Sequence, residues 1–117
     1  IRLSVVYALI GMALGIYMAA SGDHGEMPTH AHINLLGYVS MMLYGLFYKF
    51  YPHAAEGRLP IAHFWIANVG LIGIAIGIGL FYGGVAEAEP LAAVSSLVAI
   101  AGMAVFALVV FKATRTA

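Results

Sequence analysis

"THAHINLLGYVSMMLYGLFYKFYP", Thr29–Pro52, is an apolar run whose nitrogen-bearing side chains gather at one end. Residues 31–51 approach the 20 or so positions, at roughly 1.5 Å rise each, that a helix needs to cross a hydrocarbon core. His30, His32 and Asn34 stand at the mouth of this run, and Lys49 marks its far end. Thr29 reads as a helix N-cap, and Pro52 as the stop.

The rest of the chain agrees with a lipid solvent. Of 117 residues, 63% are hydrophobic and 9% charged. A soluble domain is nearer about 45–50% apolar and about 25% charged, and a chain of this size cannot hide the excess in one core. Three further apolar runs cover 3–20, 61–83 and 91–111, with Pro60 and Pro90 at helix starts, where no N–H is needed. "MAAS" after the first run (Met18–Ser21) is like a signal-peptide end. The run is longer than a signal core of roughly 7–15 residues, and further spans follow it, so it reads as a span. The expected fold is an all-α, integral membrane four-helix bundle, one domain over 1–117.

Charge sets the expected orientation. Arg2, Lys49, Arg58, Lys112 and Arg115 fall on one side of the spans; Asp23, Glu26, Glu87 and Glu89 fall on the other. Basic residues stay inside, so both termini are expected in the cytoplasm, with the bacterial inner membrane as the expected location. A net charge of zero without a basic run disfavours nucleic acid. No cysteine is present, which excludes disulfides, thiolate metal sites and c-type haem. No charged residue stands in mid-span, which disfavours a transporter.

Small residues predict close packing. Gly11 and Gly15 form a GxxxG pair; Gly70, Gly73 and Gly77 recur at helical spacing; Ala92, Ser95, Ser96, Ala99 and Gly102 follow on the last span. Such residues let membrane helices approach, within the chain or between copies.

The five histidines are the candidate chemistry. Imidazole is costly in hydrocarbon, so a histidine in or at the edge of a span is a functional candidate. His24 belongs to the outer loop, His30 and His32 to the outer end of the second run, His53 to the inner loop, and His63 to the inner start of the third. Helix rise puts His32 and His63 at opposite ends of the bundle, so one chain does not clamp one iron with both. His30 and His32 differ by about 200° around a helix and point to different places. Asn34, one turn after His30, is placed to hydrogen-bond an imidazole or a cofactor substituent. His63 is expected to cap its helix or bond a carbonyl, and His53 to be an ordinary loop residue. His24, Met27, His30 and His32 form an alternative set of nitrogen and thioether donors of the kind copper accepts.

The stretch 29–52 resembles the histidine-bearing helices of the haem-copper oxidase and nitric oxide reductase catalytic subunits, with weaker support from "HFWIANVGLIG" in the next run. In that family a histidine or His-x-His pair near the outer end of such a helix ligates haem iron. The resemblance implies haem b, with His30 or His32 as iron ligand and Asn34 and His63 as further cofactor-binding candidates. Tyr38, Tyr44, Phe47, Tyr48 and Trp65 are candidates to line the ring. The resemblance does not reach the family's copper-site His-Pro-Glu-x-x-Tyr pattern, which is absent, so a complete oxidase is not expected. Family subunits contain three quasi-equivalent arcs of four helices, with ligands on the second of an arc, as here. A homo-oligomer, expected as a trimer, would rebuild that arrangement and bring the second ligand from another copy or from His24. The expected function is therefore electron transfer, gas binding or haem handling, with a respiratory redox partner. The alternatives are a copper-handling membrane protein using His24, His30 and His32, and a cofactor-free accessory subunit of a respiratory complex.

Overall fold

The computed structural model describes residues 1–115; the last two positions of the domain expected over 1–117 lie outside the described residues. The fold is all-α, with four helical rods. The first is α1 (Arg2–Ser21), which Gly22 ends in the left-handed conformation, its N–H returning to the Met18 carbonyl. The second rod runs without a break through α2 (Met27–His32), a π segment (Ile33–Ser40) and α3 (Met41–Phe50). A 3₁₀ turn (Pro52–Ala55) leads to α4 (Leu59–Tyr82), and another (Ala86–Ala88) to α5 (Glu89–Thr114). Pro60 and Pro90 sit in the first turns of α4 and α5, as their sequence positions predict.

α1, α4 and the α5 region are long and apolar enough to cross a membrane, which suggests an integral membrane protein. The second rod covers 27–50, but the π segment divides it into α pieces each too short to cross alone. Sequence spacing reads this stretch as one uniform helix, because its apolar residues do not reveal a change of winding. The Ser40 hydroxyl takes the Leu35 carbonyl, five residues back, inside the widened turns. The rod also starts earlier than expected, at Met27. Thr29 is therefore not its cap: it lies inside the first turn, buried, and donates its hydroxyl to the Glu26 carboxylate at 2.5 Å.

The rods pack as two unlike halves. α4 and α5 meet backbone to backbone. A Cβ at Gly70 would come within 2.8 Å of the Ala99 nitrogen, and one at Gly77 within 2.6 Å of the Ala92 nitrogen. Gly73 leaves the space that Ser95 fills, and Gly102 faces Ala67. The glycine and alanine rows of these two helices are thus spent on each other.

α1 packs on the second rod by a different device. A Cβ at Gly11 would strike the Asn34 amide, and one at Gly15 would lie 2.9 Å from the His30 ring. The GxxxG pair seats polar side chains instead of bringing backbones together. Gly37 gives room to Tyr7, whose hydroxyl donates to the buried Asn68 Oδ1 at 2.6 Å and so ties α1 to α4. The Asn68 amide nitrogen in turn donates to the Phe64 carbonyl. Asn68 was not among the residues singled out from sequence, although an amide in mid-span is itself a signal of a partner.

All five basic residues fall at the end where Ile1 approaches Gly45 and the exposed His53 ring donates to the Ala113 carbonyl. His24, His30, His32, Glu26, Glu87 and Glu89 gather at the opposite end. Gly77→Ala forces its Cβ into the α5 backbone and should cost about 1–3 kcal/mol. Gly79→Ala meets nothing nearer than the Thr29 methyl at 3.6 Å and should be neutral or gain up to about 1 kcal/mol in helix propensity. Thermal unfolding of the two variants in detergent checks the contrast.

Candidate functional site

The three imidazoles at the acidic end share one feature. Each places Nδ1 against a backbone carbonyl: His24 on Gly22 at 3.2 Å, His30 on Gly11 at 2.8 Å and His32 on Pro28 at 2.7 Å. A carbonyl only accepts, so Nδ1 carries the proton in all three. In the neutral ring, Nε2 then keeps its lone pair. This is how metal-ligating histidines are usually held, with the other nitrogen fixed by a carbonyl or carboxylate.

Local structure sets where each ring goes. His32 bonds back along its own helix, to a carbonyl four residues earlier, and is exposed. Further along the same rod, Leu35, Val39 and Leu43 are exposed apolar residues, at 60%, 42% and 59%. The carbonyl that holds His30 belongs to α1, so this ring lies between the two rods in the space left by Gly15. Asn34 spans it, donating to the His30 carbonyl at 2.8 Å with the same amide nitrogen 3.3 Å from the ring. His24 stays in the exposed loop. His30 and Asn34 are thus brought together, and His32 points elsewhere, as the helical angle between them requires. Among the described residues no three His, Cys, Asp or Glu side chains are grouped to hold a metal ion. The structure does not assemble His24, His30 and His32 into one site within a chain.

His63 occupies the other end and neither caps its helix nor bonds a carbonyl. It is 2% exposed, with Nδ1 at 2.9 Å from the Tyr48 hydroxyl. Its ring stacks on Phe106 with centroids 5.0 Å apart and meets Tyr44 edge-on at 4.5 Å. Phe47 also packs on Phe106. Three of the five aromatics expected to line a ring, Tyr44, Phe47 and Tyr48, therefore cluster around His63 and Phe106. Tyr38 and Trp65 are exposed. Phe106, which closes the cluster from α5, was not identified from sequence, because one phenylalanine in an apolar span carries no positional signal.

Gly15→Val should push the His30 ring off the Gly11 carbonyl and leave His32 untouched. Nitrogen-15 spectra of histidine-labelled protein, with the imidazoles neutral, should show protonated Nδ1 and bare Nε2 for His24, His30 and His32. Only the His30 pattern should change in the variant. Compared with known proteins, the chain matches no family model, no curated protein and no solved structure.

Proposed function

We propose that this chain is a four-span integral protein of the bacterial inner membrane, with both termini cytoplasmic, that binds haem b at a face shared between copies. His32 Nε2 is the iron ligand. One observation carries this reading: an exposed imidazole with its Nδ1 proton already held by the Pro28 carbonyl stands on a rod whose Leu35, Val39 and Leu43 are also exposed. A ligand lone pair on a rod with exposed apolar side chains suits a porphyrin.

The donor set fits the group in part within one chain. His32 would supply one nitrogen ligand, and no grouped ligand set accompanies it among the described residues. A second ligand would come from a neighbouring copy or from His24, which favours a closed homo-oligomer, a trimer in the simplest arrangement. His30 and Asn34 stiffen the second rod against α1 and so fix the position from which His32 projects. The exposed apolar residues would exclude water from the bound group once a second copy covered them. Bound haem would supply one-electron transfer, or gas binding if a single protein ligand held it.

Two observations weigh against the alternatives. A copper site built on His24, His30 and His32 needs these side chains to converge, and they are held by three separate carbonyls. An accessory subunit docking through its glycine faces needs those faces free, and they are filled within the chain.

The test is an absorption spectrum with metal analysis on detergent-purified, haem-reconstituted protein. A Soret band with bound iron is expected, lost in His32→Ala and retained but shifted in His30→Ala. A band indifferent to His32→Ala, or colourless protein holding stoichiometric copper, overturns the reading. The orientation has its own check: a cysteine replacing Glu87 should react with an impermeant thiol reagent in intact cells, and one replacing Arg58 should not.

A further inference from the structure

A second site lies at the opposite end, and it does not depend on haem. A cavity of about 370 Å³ opens between the start of α1, α3 and the start of α4. That volume is within the range of roughly 300–1,000 Å³ usual for small-molecule sites. Its walls include Met41, Tyr44, Tyr48, His63 and Ala67, and among the described residues no lysine, arginine, aspartate or glutamate lines it. Ile1, Leu3, Ile61 and Phe64, at its rim, are all exposed apolar residues. A molecule reaching this cavity thus passes apolar side chains of α1 and α4, both long and apolar enough to cross a membrane.

The polar groups in the cavity are nearly all satisfied among themselves. Ser4 donates to the Ile1 carbonyl, and Asn68 is bonded to Tyr7 and to the Phe64 carbonyl. The exception belongs to His63, one of the lining residues, whose buried Nε2 has no partner among the described residues. Leaving such a group unpaired is costly in a medium without water.

The Tyr48–His63 bond decides what His63 Nε2 lacks. If His63 donated to Tyr48, both the phenol proton and the Nε2 lone pair would want partners. If Tyr48 donates to Nδ1, only one group is left over, an Nε2–H. The second arrangement leaves fewer unpaired groups. His63 therefore presents a single hydrogen-bond donor, held in place by the stacked Phe106 and the edge-on Tyr44.

We infer that this cavity binds a neutral, membrane-dissolved aromatic ketone, whose carbonyl oxygen accepts a hydrogen bond from His63 Nε2–H while its ring lies against Tyr44 and Tyr48. The absence of charged side chains selects a neutral molecule, the aromatic walls select a ring, and the lone donor selects one acceptor oxygen.

The experiment compares 2-acetonaphthone with 2-ethylnaphthalene, a hydrocarbon of matching shape that lacks the acceptor, by calorimetric titration of the purified full chain. The ketone should bind saturably and about tenfold or more tighter, the ratio set by one buried hydrogen bond. His63→Phe should bring the ratio to about one, because ring and volume remain and the donor is gone. Ile61→Trp, at an exposed rim position, should weaken both probes together by narrowing the mouth. Should His63→Phe fail to fold, nitrogen-15 spectra of the unaltered protein still decide. The His63 Nε2 signal should move saturably with the ketone and stay put with the hydrocarbon. Equal affinity for the two probes, uptake that only follows lipid partitioning, or an unmoved Nε2 signal overturns the inference.

Discussion

The contact on which the structure depends is the approach of α4 to α5 across Gly70, Gly73 and Gly77. Lipid tails are as apolar as the side chains they touch, so burial from lipid gives helices little reason to associate. Dispersion between closely packed atoms has to do more of that work, and it falls quickly with separation. Removing side chains from one helix lets the backbone of the other come within van der Waals reach, as Ala92 and Ala99 do. The resulting hairpin is a firm wall. It offers Phe106 and His63 from neighbouring helices to the aromatic residues of α3.

The other half is held more by polar groups. His30 bonds the second rod to the Gly11 carbonyl of α1, and Tyr7 bonds α1 to Asn68 of α4, while Asn34 holds His30 from within its own rod. Such bonds fix register without needing the helices to be close, and they leave space where they stop. The large cavity lies on this side, between α1, α3 and α4. The π segment belongs here too. Its wide winding falls between the rim histidines above and the aromatic cluster below, and π turns recur at functional sites.

Histidine serves opposite purposes at the two ends. At the acidic end three carbonyls take the Nδ1 protons and leave lone pairs, which suits a metal. At the basic end a phenol gives its proton to Nδ1 and leaves an N–H, which suits an oxygen acceptor. The same side chain becomes an acceptor or a donor according to the first partner it meets. A difference of one hydrogen bond thus separates an imidazole that offers a lone pair from one that offers a proton.

The sequence by itself determined the solvent, the helical class, the places where rods begin at Pro60 and Pro90, and the gathering of charge at opposite ends. These follow from composition and from apolar runs measured against helix rise, both properties of residues near one another in the chain. It also determined that His30 and His32 diverge, since the helix angle alone decides that. Tertiary structure decided the rest. Gly11 and Gly15 read as a surface for helix approach and became seats for Asn34 and His30, because what fills a missing side chain's space is set by the neighbour. Thr29 lost the capping role when Met27 and Pro28 joined the helix before it. The tautomer of each imidazole, the union of Tyr48 with His63 and the closing of that cluster by Phe106 all depend on partners in space. Spacing along the chain carries no record of those partners.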